Sequence, residues 1–229
     1  MQIPLISVIL HTYNQQKGVE AHVNLWKALP KEVSQKIEFI LIDDFSDPQL
    51  TISKEHLNLR LFRVTDDIDW NMPGCKNLGA FMAKSDWLLF FDVDNFIEPK
   101  GFAKLTDAVS RLDKTVCYKF KRTINHQDAE PHINTLLVSQ WGFFKAGGID
   151  EDFAGHYGYE DVHFNYLWLK RVGGTILLTD VVFNEINLKT EKLNRDTSRN
   201  QALGSAKIFQ NDFETSVGKL RFRWEEVLI

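Results

Sequence analysis

The sequence predicts one α/β domain with a mainly parallel central sheet, helices flanking it and a helical tail at the C-terminus. Short apolar runs alternate with amphipathic segments over the first half of the chain, and this alternation is typical of a parallel sheet. The 229 residues are 44% hydrophobic and 25% charged, which is ordinary for a globular protein and enough for one core.

The elements of the first half follow the apolar pattern. We predict strands at residues 5–10, 37–42, 59–64 and 87–91 and helices at residues 18–29, 73–83 and 99–111. The first helix is stopped by Pro30, and the second carries Pro73 in its first turn, where proline is favoured.

The alternation changes after residue 115. Here we predict strands at residues 116–121, 135–138 and 175–183, a helix at 158–171, and an amphipathic helix from about residue 203 followed by a short segment with Trp224. No linker divides the chain, so we expect a single domain over 1–229.

Charge and composition exclude several classes of protein. The formal net charge is −4, which argues against a broadly basic surface for nucleic acid. Two cysteines, Cys75 and Cys117, cannot form a disulfide framework or a cysteine-rich zinc site. No apolar run reaches the length of a transmembrane segment, and no signal peptide is evident. We therefore expect a cytoplasmic protein without a nucleic-acid partner.

Polar and acidic residues follow three predicted strands. They are Thr12, Tyr13 and Asn14 after the first strand, Asp43 and Asp44 after the second, and Asp92, Val93 and Asp94 after the fourth. Ligands of open parallel sheets bind at the carboxyl ends of the strands, so these residues are expected at one edge. Carboxylates that lie close together repel one another, and a hard cation such as Mg²⁺ or Mn²⁺ would stabilise them and suit a nucleotide phosphate.

Each of these signals has a structural alternative. The Asp-x-Asp pattern occurs at residues 67–69, 92–94 and 150–152, but only the second copy directly follows an apolar strand; we interpret the others as turns. Asp43 and Asp44 fit turn chemistry equally well. Glu160 and Asp161 would also stabilise the start of a helix through its dipole.

Four blocks of the sequence together resemble the family 2 glycosyltransferases, enzymes of the GT-A fold. The blocks are SVILHTYN (7–14), FILIDDFSD (39–47), WNMPGCKNLGAFMAKSDWLLFFDVDN (70–95) and FFKAGGIDEDFAGHYGYEDVHFNYLWLKRVGG (143–174). The resemblance implies an inverting transferase that moves a sugar from a nucleotide-sugar, most simply a UDP-sugar, to a saccharide or other hydroxyl acceptor. It also implies Mn²⁺ or Mg²⁺ as cofactor. Within the single domain it implies a nucleotide-sugar-binding half (1–115), a half for the acceptor and the catalytic base (116–188), and a lid with the C-terminal helix (189–229).

The resemblance also implies roles for single residues. Asp161 would be the catalytic base beside Glu160, because a sugar hydroxyl must lose its proton as it attacks. Asp94 would bind the metal, with Asp92 on the ribose or on metal-bound water. The residues implied in nucleotide-sugar binding are Thr12, Tyr13, Asn14, Asp43, Asp44, Asn71, Lys76, Asn77, Asp92 and Val93.

Three features depart from the family pattern. No histidine follows His163, although the family often has a metal-binding histidine after the last core strand; Asn184, Glu185 and Asn187 occupy that stretch. Lys76 stands where arginine is usual, and Asn95 replaces a frequent third acid. An inactive nucleotide- or carbohydrate-binding scaffold is therefore kept as an alternative. A sugar-nucleotide pyrophosphorylase is disfavoured, because the first strand is not followed by a glycine-rich loop.

Two further groups are candidates for contacts with substrate. Arg195 and Arg199 lie in a polar segment that we interpret as a lid over the diphosphate, or equally as a solvated basic loop. Trp70, Trp141 and Trp168 could stack on an acceptor sugar. Core packing is the better interpretation for Trp141 and Trp168, whereas Trp70 lies in a polar loop.

Overall fold

A computed structural model describes residues 3–186, 188, 194–210 and 220–229. Its strands are β1 (Ile6–Thr12), β2 (Ile37–Asp44), β3 (Leu59–Val64), β4 (Trp87–Phe90), β5 (Asn95–Ile97), β6 (Cys117–Ile124), β7 (Gln127–Ala129), β8 (Leu136–Ser139), β9 (Thr175–Glu185) and β10 (Trp224–Val227). Its helices are α1 (Gln16–Lys27), α2 (Lys31–Ser34), α3 (Met72–Met82), α4 (Pro99–Ala108), α5 (Gln140–Ala146), α6 (Glu160–Arg171) and α7 (Ser198–Gln210). Two short 3₁₀ helices span Val109–Arg111 and Glu151–Phe153.

The strands form one sheet in the order β10-β3-β2-β1-β4-β8-β6-β9-β5, with β7 paired to β6. Strands β1 to β4 are parallel, so their carboxyl ends meet at one edge. Strand β8 is antiparallel to β4, β6 is antiparallel to β8, and β9 is parallel to β6. The predicted α/β class and C-terminal helix are confirmed, and the complete sheet is mixed, with its parallel part in the first half.

Helices cover both faces of the sheet, which explains why β1 and β2 are apolar almost throughout. On one face, α1 and α4 contribute Trp26 and Phe102 to the core. On the other face, α3, α5 and α6 contribute Leu78, Phe143 and Trp168. Helix α3 lies directly on β1 and approaches it closely at Gly79. A Cβ atom at this position would come within 2.3 Å of Ile9 Cγ2, so the approach requires glycine.

The structure locates the strands that the apolar runs predict and adds short elements. Strands β5 and β7 and helices α2 and α5 have between three and seven residues, too few for a periodic signal. The tail helix begins at Ser198, before the predicted start, and Trp224 opens strand β10, which pairs with β3. Within the described ranges, no helix combines the length and apolar character that a membrane span requires.

Candidate active site

The ends of β1 and β2 are joined through Asn14 and the turn after Asp44. The backbone N–H of Asn14 donates to Ser46 Oγ over 2.8 Å, and Asn14 Oδ1 accepts from the N–H of Asp47 over 2.8 Å. Asn14 has a left-handed backbone with φ of 52°. Neighbouring Thr12 is buried, whereas Tyr13 is 38% exposed beside this junction. The polar residues of the two strand ends therefore lie together, as the parallel sheet requires.

The adjacent acids Asp43 and Asp44 have different surroundings. Asp43 accepts hydrogen bonds from the backbone N–H groups of Ser46 and Leu50 and is paired with the guanidinium of Arg63. Asp44 is buried beside the Asn71 amide at 3.5 Å, and burial raises its pKa to about 7 although the Cys75 thiol and Asn71 act in the opposite direction. Asp43 thus shapes the turn, and Asp44 is the acid that changes charge near neutral pH.

Asp92 is surrounded by cationic and amide groups. Lys76 Nζ lies 3.4 Å from Asp92 Oδ1, and Asn134 Nδ2 and His132 Nδ1 lie 3.2 and 3.8 Å from Asp92 Oδ2. Burial alone would raise the pKa of Asp92, but the charge of Lys76, helped by His11 and His132, outweighs it and lowers the pKa to about 2. Asp92 is therefore a carboxylate that the protein itself compensates.

Asp94 lies in the opposite kind of environment. Its Oδ1 accepts from Asn95 Nδ2 over 2.7 Å, and burial followed by the charge of Asp92 raises its pKa, with a smaller contribution from Glu185. Glu185 pairs with Arg122 at 2.8 Å on the neighbouring strand. Between the two aspartates, the Val93 carbonyl lies 3.0 Å from His22 Nε2 on α1.

Asp94 is consequently the better candidate for a cation. The charges of Asp92 and Glu185 outweigh that of His132 at Asp94, and a cation stabilises a carboxylate in such a setting, whereas Asp92 is already paired with Lys76. In the part of the chain that the structure describes, no three His, Cys, Asp or Glu side chains are grouped as a complete metal site. Asn187, one of the residues in the stretch without histidine, lies outside the described residues.

Glu160 and Asp161 form the first turn of α6. Gly158 and Tyr159 precede them with φ of 83° and 71°, so the chain turns sharply into the helix. Glu160 is buried, and burial followed by the charge of Asp161 raises its pKa to about 7. Asp161 lines a hollow that it shares with Lys76, Asn134 and Asn165.

This hollow brings the two halves of the predicted site together. Lys76 lies on the hollow with Asp161 and also contacts Asp92, and Asn134 links the hollow to Asp92 in the same way. Asp94 is not among the residues that line the hollow, but it follows Asp92 by two positions on the same turn.

Four residues of this site were missed by sequence reasoning: His11, Lys119, His132 and Asn134. His11 is half-buried in β1, and desolvation followed by the charge of Lys76 lowers its pKa to about 4. Lys119 Nζ donates to the Ile133 carbonyl over 2.6 Å, and burial lowers its pKa. The signal that could have found His132 and Asn134 is the polar stretch between the predicted strands at 116–121 and 135–138, which contains both residues.

The other predicted residues hold the site together. The Asn77 amide donates to the Ile149 carbonyl and to Glu151 over 2.7 and 2.9 Å. Arg199 lies in α7, where it donates to the Asp152 carbonyl over 2.7 Å, and the Arg195 guanidinium lies 5.6 Å from the centre of the Tyr157 ring. Residues 189–193 of the predicted lid lie outside the described residues.

The comparisons with known proteins follow this geometry. The model of the family described as "Glycosyl transferase family 2" matches residues 7–165, which include every strand-end acid and the Glu160–Asp161 pair. The chain belongs to glycosyl transferase family 2. The resemblance predicted from the four sequence blocks is thereby confirmed.

Curated relatives of this family 2 chain carry general names. An "Uncharacterized glycosyltransferase" of Haemophilus influenzae is 25% identical over 107 residues, which cover 47% of this chain and 35% of the relative. "Uncharacterized glycosyltransferase EpsJ" of Bacillus subtilis is 24% identical over 133 residues, which cover 56% of this chain and 38% of the relative. The chain thus spans less than two-fifths of the length of these relatives.

Solved structures support the fold. S. aureus TarS 1–349 in complex with UDP-GlcNAc matches with a TM-score of 0.67 and 16% identity, over 91% of this chain and 67% of that one. The same protein in complex with UDP matches with a TM-score of 0.59 and 16% identity, over 79% of this chain and 60% of that one. At this identity the likeness establishes the GT-A fold of the family 2 chain and no more.

Proposed function

We propose that this chain is the catalytic domain of a metal-dependent, inverting glycosyltransferase that moves a hexose-type sugar from a UDP-sugar to a hydroxyl of a saccharide or other acceptor. One observation carries the proposal: Lys76 contacts Asp92 at 3.4 Å and shares a hollow with Asp161. Asp92 and the candidate base Asp161 are thus connected through one lysine. The UDP and UDP-GlcNAc complexes of TarS, a protein of the same fold, support a UDP-linked donor.

The half of the chain up to residue 115 would bind the nucleotide. Tyr13, Asp44 and Asn71 lie where the nucleoside would rest, beside the ends of β1 and β2. Asp94 fits a divalent ion such as Mn²⁺ or Mg²⁺, with oxygens of the diphosphate and water as the remaining ligands. When bound, the ion supplies positive charge to the departing diphosphate.

The residues of this chain would carry the proton and fix the charges. Asp161 accepts the proton of the acceptor hydroxyl as its oxygen forms a bond to the anomeric carbon on the face opposite the leaving group. The bond from that carbon to the diphosphate oxygen breaks, and UDP departs with the electron pair. Lys76 stabilises the negative charge near Asp92 throughout.

A donor screen with separate binding and turnover readouts tests the proposal. The purified chain is mixed with UDP-, GDP- and dTDP-sugars, with and without Mn²⁺, and thermal shift and release of nucleotide are measured. We expect the largest shift with a UDP-sugar and Mn²⁺, and a fall in turnover of about 100-fold or more in Asp161→Asn. Asp94→Asn should lose the Mn²⁺-dependent part of the shift.

The matched control is Asp180→Asn, which changes an exposed acid of β9 that does not line the hollow. Turnover that survives both Asp94→Asn and Asp161→Asn would overturn the assigned roles. UDP binding without turnover of any donor would instead favour the inactive scaffold.

A further inference from the structure

Two aromatic side chains meet beside the site and have no place in the roles above. The rings of Trp70 and Tyr157 are 4.6 Å apart between centroids and inclined by 52°. Both side chains are partly exposed, in contrast to Trp26 and Trp168, which are fully buried in the core. An exposed aromatic pair is a surface on which an apolar face of a ligand can rest.

The pair joins the loops that lead to the two halves of the site. Trp70 directly precedes Asn71 and helix α3, which carries Lys76. Tyr157 lies three residues before Glu160, at the start of α6. The N–H of Gly155 donates to the Asp69 carbonyl over 2.7 Å, so the two loops are also joined through the backbone. The pair thus lies where the segment that leads to Lys76 meets the segment that leads to Asp161.

Both rings are held in fixed positions. Trp70 has a left-handed backbone with φ of 49°, which is unfavourable for a bulky residue and must be maintained by its surroundings. Its indole Nε1 donates to the Asn194 carbonyl over 2.8 Å. The Tyr157 loop is held by the Asn200 amide, whose Nδ2 lies 2.9 Å from the His156 carbonyl and 2.8 Å from the Gly158 carbonyl.

We propose that Trp70 and Tyr157 form an acceptor subsite that stacks on a sugar ring, so that the acceptor of the proposed reaction is a saccharide. This inference rests on the proposed function and deepens it. Sugar rings present a face of C–H groups, which the electron-rich face of an aromatic ring attracts. The Arg195 guanidinium lies over the Tyr157 ring, 5.6 Å from its centre, so a cation also lies beside the subsite.

A nucleobase is the other flat ligand that an aromatic pair can bind. The residues proposed to contact the nucleoside argue against it, because Asp44 lies at the end of β2 and the Asn71 amide turns toward Asp44. Trp70, the residue before Asn71, instead contacts Tyr157 on the side of Glu160 and Asp161. The pair therefore belongs to the acceptor side.

Saturation-transfer NMR tests the subsite without relying on turnover. The probes are methyl glycosides of glucose, galactose, mannose and N-acetylglucosamine, added to the complete chain in the presence of UDP and Mn²⁺. We expect transfer to the ring C–H protons of at least one glycoside, and an affinity about tenfold weaker in Trp70→Ala. Trp70→Phe, which keeps an aromatic face, should retain most of the affinity.

The matched control is Trp141→Ala. Trp141 on α5 is half-exposed, and Lys145 Nζ lies 4.6 Å from its ring centre. It therefore offers an indole beside a cation, as the pair of Trp70 and Tyr157 does, and it does not line the hollow. Thermal melting of each variant shows whether it is folded, and Tyr157→Ala provides a second test if Trp70→Ala is not.

Three results would overturn the subsite. The first is that none of the four glycosides receives saturation transfer. The second is that Trp70→Ala binds the glycoside with unchanged affinity. The third is that Trp70→Ala weakens the binding of UDP together with that of the glycoside. The last result would place a nucleobase on the pair. Hydrolysis of the donor in the absence of acceptor is measured in parallel. If glycoside binding fails but donor hydrolysis persists in the wild type and in Trp70→Ala, the subsite is wrong while the proposed transferase activity still stands.

Discussion

The candidate site has a donor side, at the ends of β2 and β4, and a base side, at the start of α6, and the two hold their acids in different ways. On the donor side, Asp43 lies at the end of β2 and Asp92 follows β4, and they are paired with cations of the same half, Arg63 and Lys76. Glu160 and Asp161 follow a loop in which three of five residues, Gly155, Gly158 and Tyr159, have positive φ. The donor side is thus fixed by the sheet, whereas the base side needs support from elsewhere.

That support comes from the C-terminal part of the chain. Asn200 donates to the carbonyls of Phe153, His156 and Gly158 from one amide nitrogen. Lys207 lies 2.9 Å from Asp150 and 2.7 Å from Asp152, and the backbone N–H of Arg221 donates to Glu151 over 3.1 Å. In its described parts, the segment predicted as a lid with the C-terminal helix therefore anchors the loop that leads to Glu160 and Asp161.

Replacing Asn200 tests this difference most severely. Asn200→Asp removes the amide hydrogens and places carboxylate oxygens against three carbonyl oxygens in a fully buried position, so we expect unfolding to become easier by about 3–5 kcal/mol. Urea denaturation measures the change, and Gln201→Ala, on the exposed side of the same helix, should change stability by less than about 0.5 kcal/mol.

The same variant separates the two sides of the crevice. If the base side alone depends on α7, folded Asn200→Asp should bind UDP as the wild type does and lose transfer to acceptor. UDP binding that falls in step with transfer would show that the two sides are not independently supported.

The pH dependence of stability sharpens the comparison through Glu160. Its pKa is raised from 4.5 to about 7 in the folded chain. Between pH 4.5 and pH 7 the folded chain therefore keeps a proton on Glu160 that the unfolded chain has lost. The stabilising contribution is complete below about pH 4.5 and is lost as the pH rises through 7. Glu160→Gln stays neutral and should gain up to about 3 kcal/mol relative to wild type between pH 4.5 and pH 8.

Denaturation at the two pH values measures this gain. Glu225→Gln changes an exposed acid of β10 and is the control, for which the difference from wild type should be the same at both values. If Glu160→Gln differs in stability from the wild type by the same amount at pH 4.5 and at pH 8, burial does not keep the proton on Glu160. The base side would then resemble the donor side.

The donor side is also the part of the site that the sequence predicts well. An apolar run followed by Asp92 and Asp94 specifies both a buried strand and the edge at which it ends, because the side chains after a parallel strand must emerge there. The resemblance to family 2 added Asp161, which the residues alone left open between a base and a helix-start acid. The fold class followed from the same alternation of runs.

Sequence reasoning failed where distant segments meet. His132 and Asn134 lie on a loop between β7 and β8, and their contact with Asp92 depends on pairing between strands far apart in the chain. Asn200 sits in a helix with an ordinary polar pattern, and nothing local indicates that its amide reaches three carbonyls of another loop. Such contacts arise from tertiary structure and leave no periodic signal.

Lys76 gives the smallest expected change and tests the donor side directly. Lys76→Met keeps an unbranched side chain but leaves Asp92, 22% exposed at its side chain, without its cation, so we expect a loss of about 2 kcal/mol at pH 7. The low pKa of Asp92, about 2, contributes stability above pH 3.8 that is lost as the pH falls towards 2. The loss of stability in Lys76→Met should therefore be smaller in acid than at pH 7.

The control is Lys84→Met, which changes an exposed lysine. If Lys76→Met loses the same stability at pH 7 and at pH 3, then packing of the lysine stem, and not compensation of the Asp92 charge, stabilises the donor side.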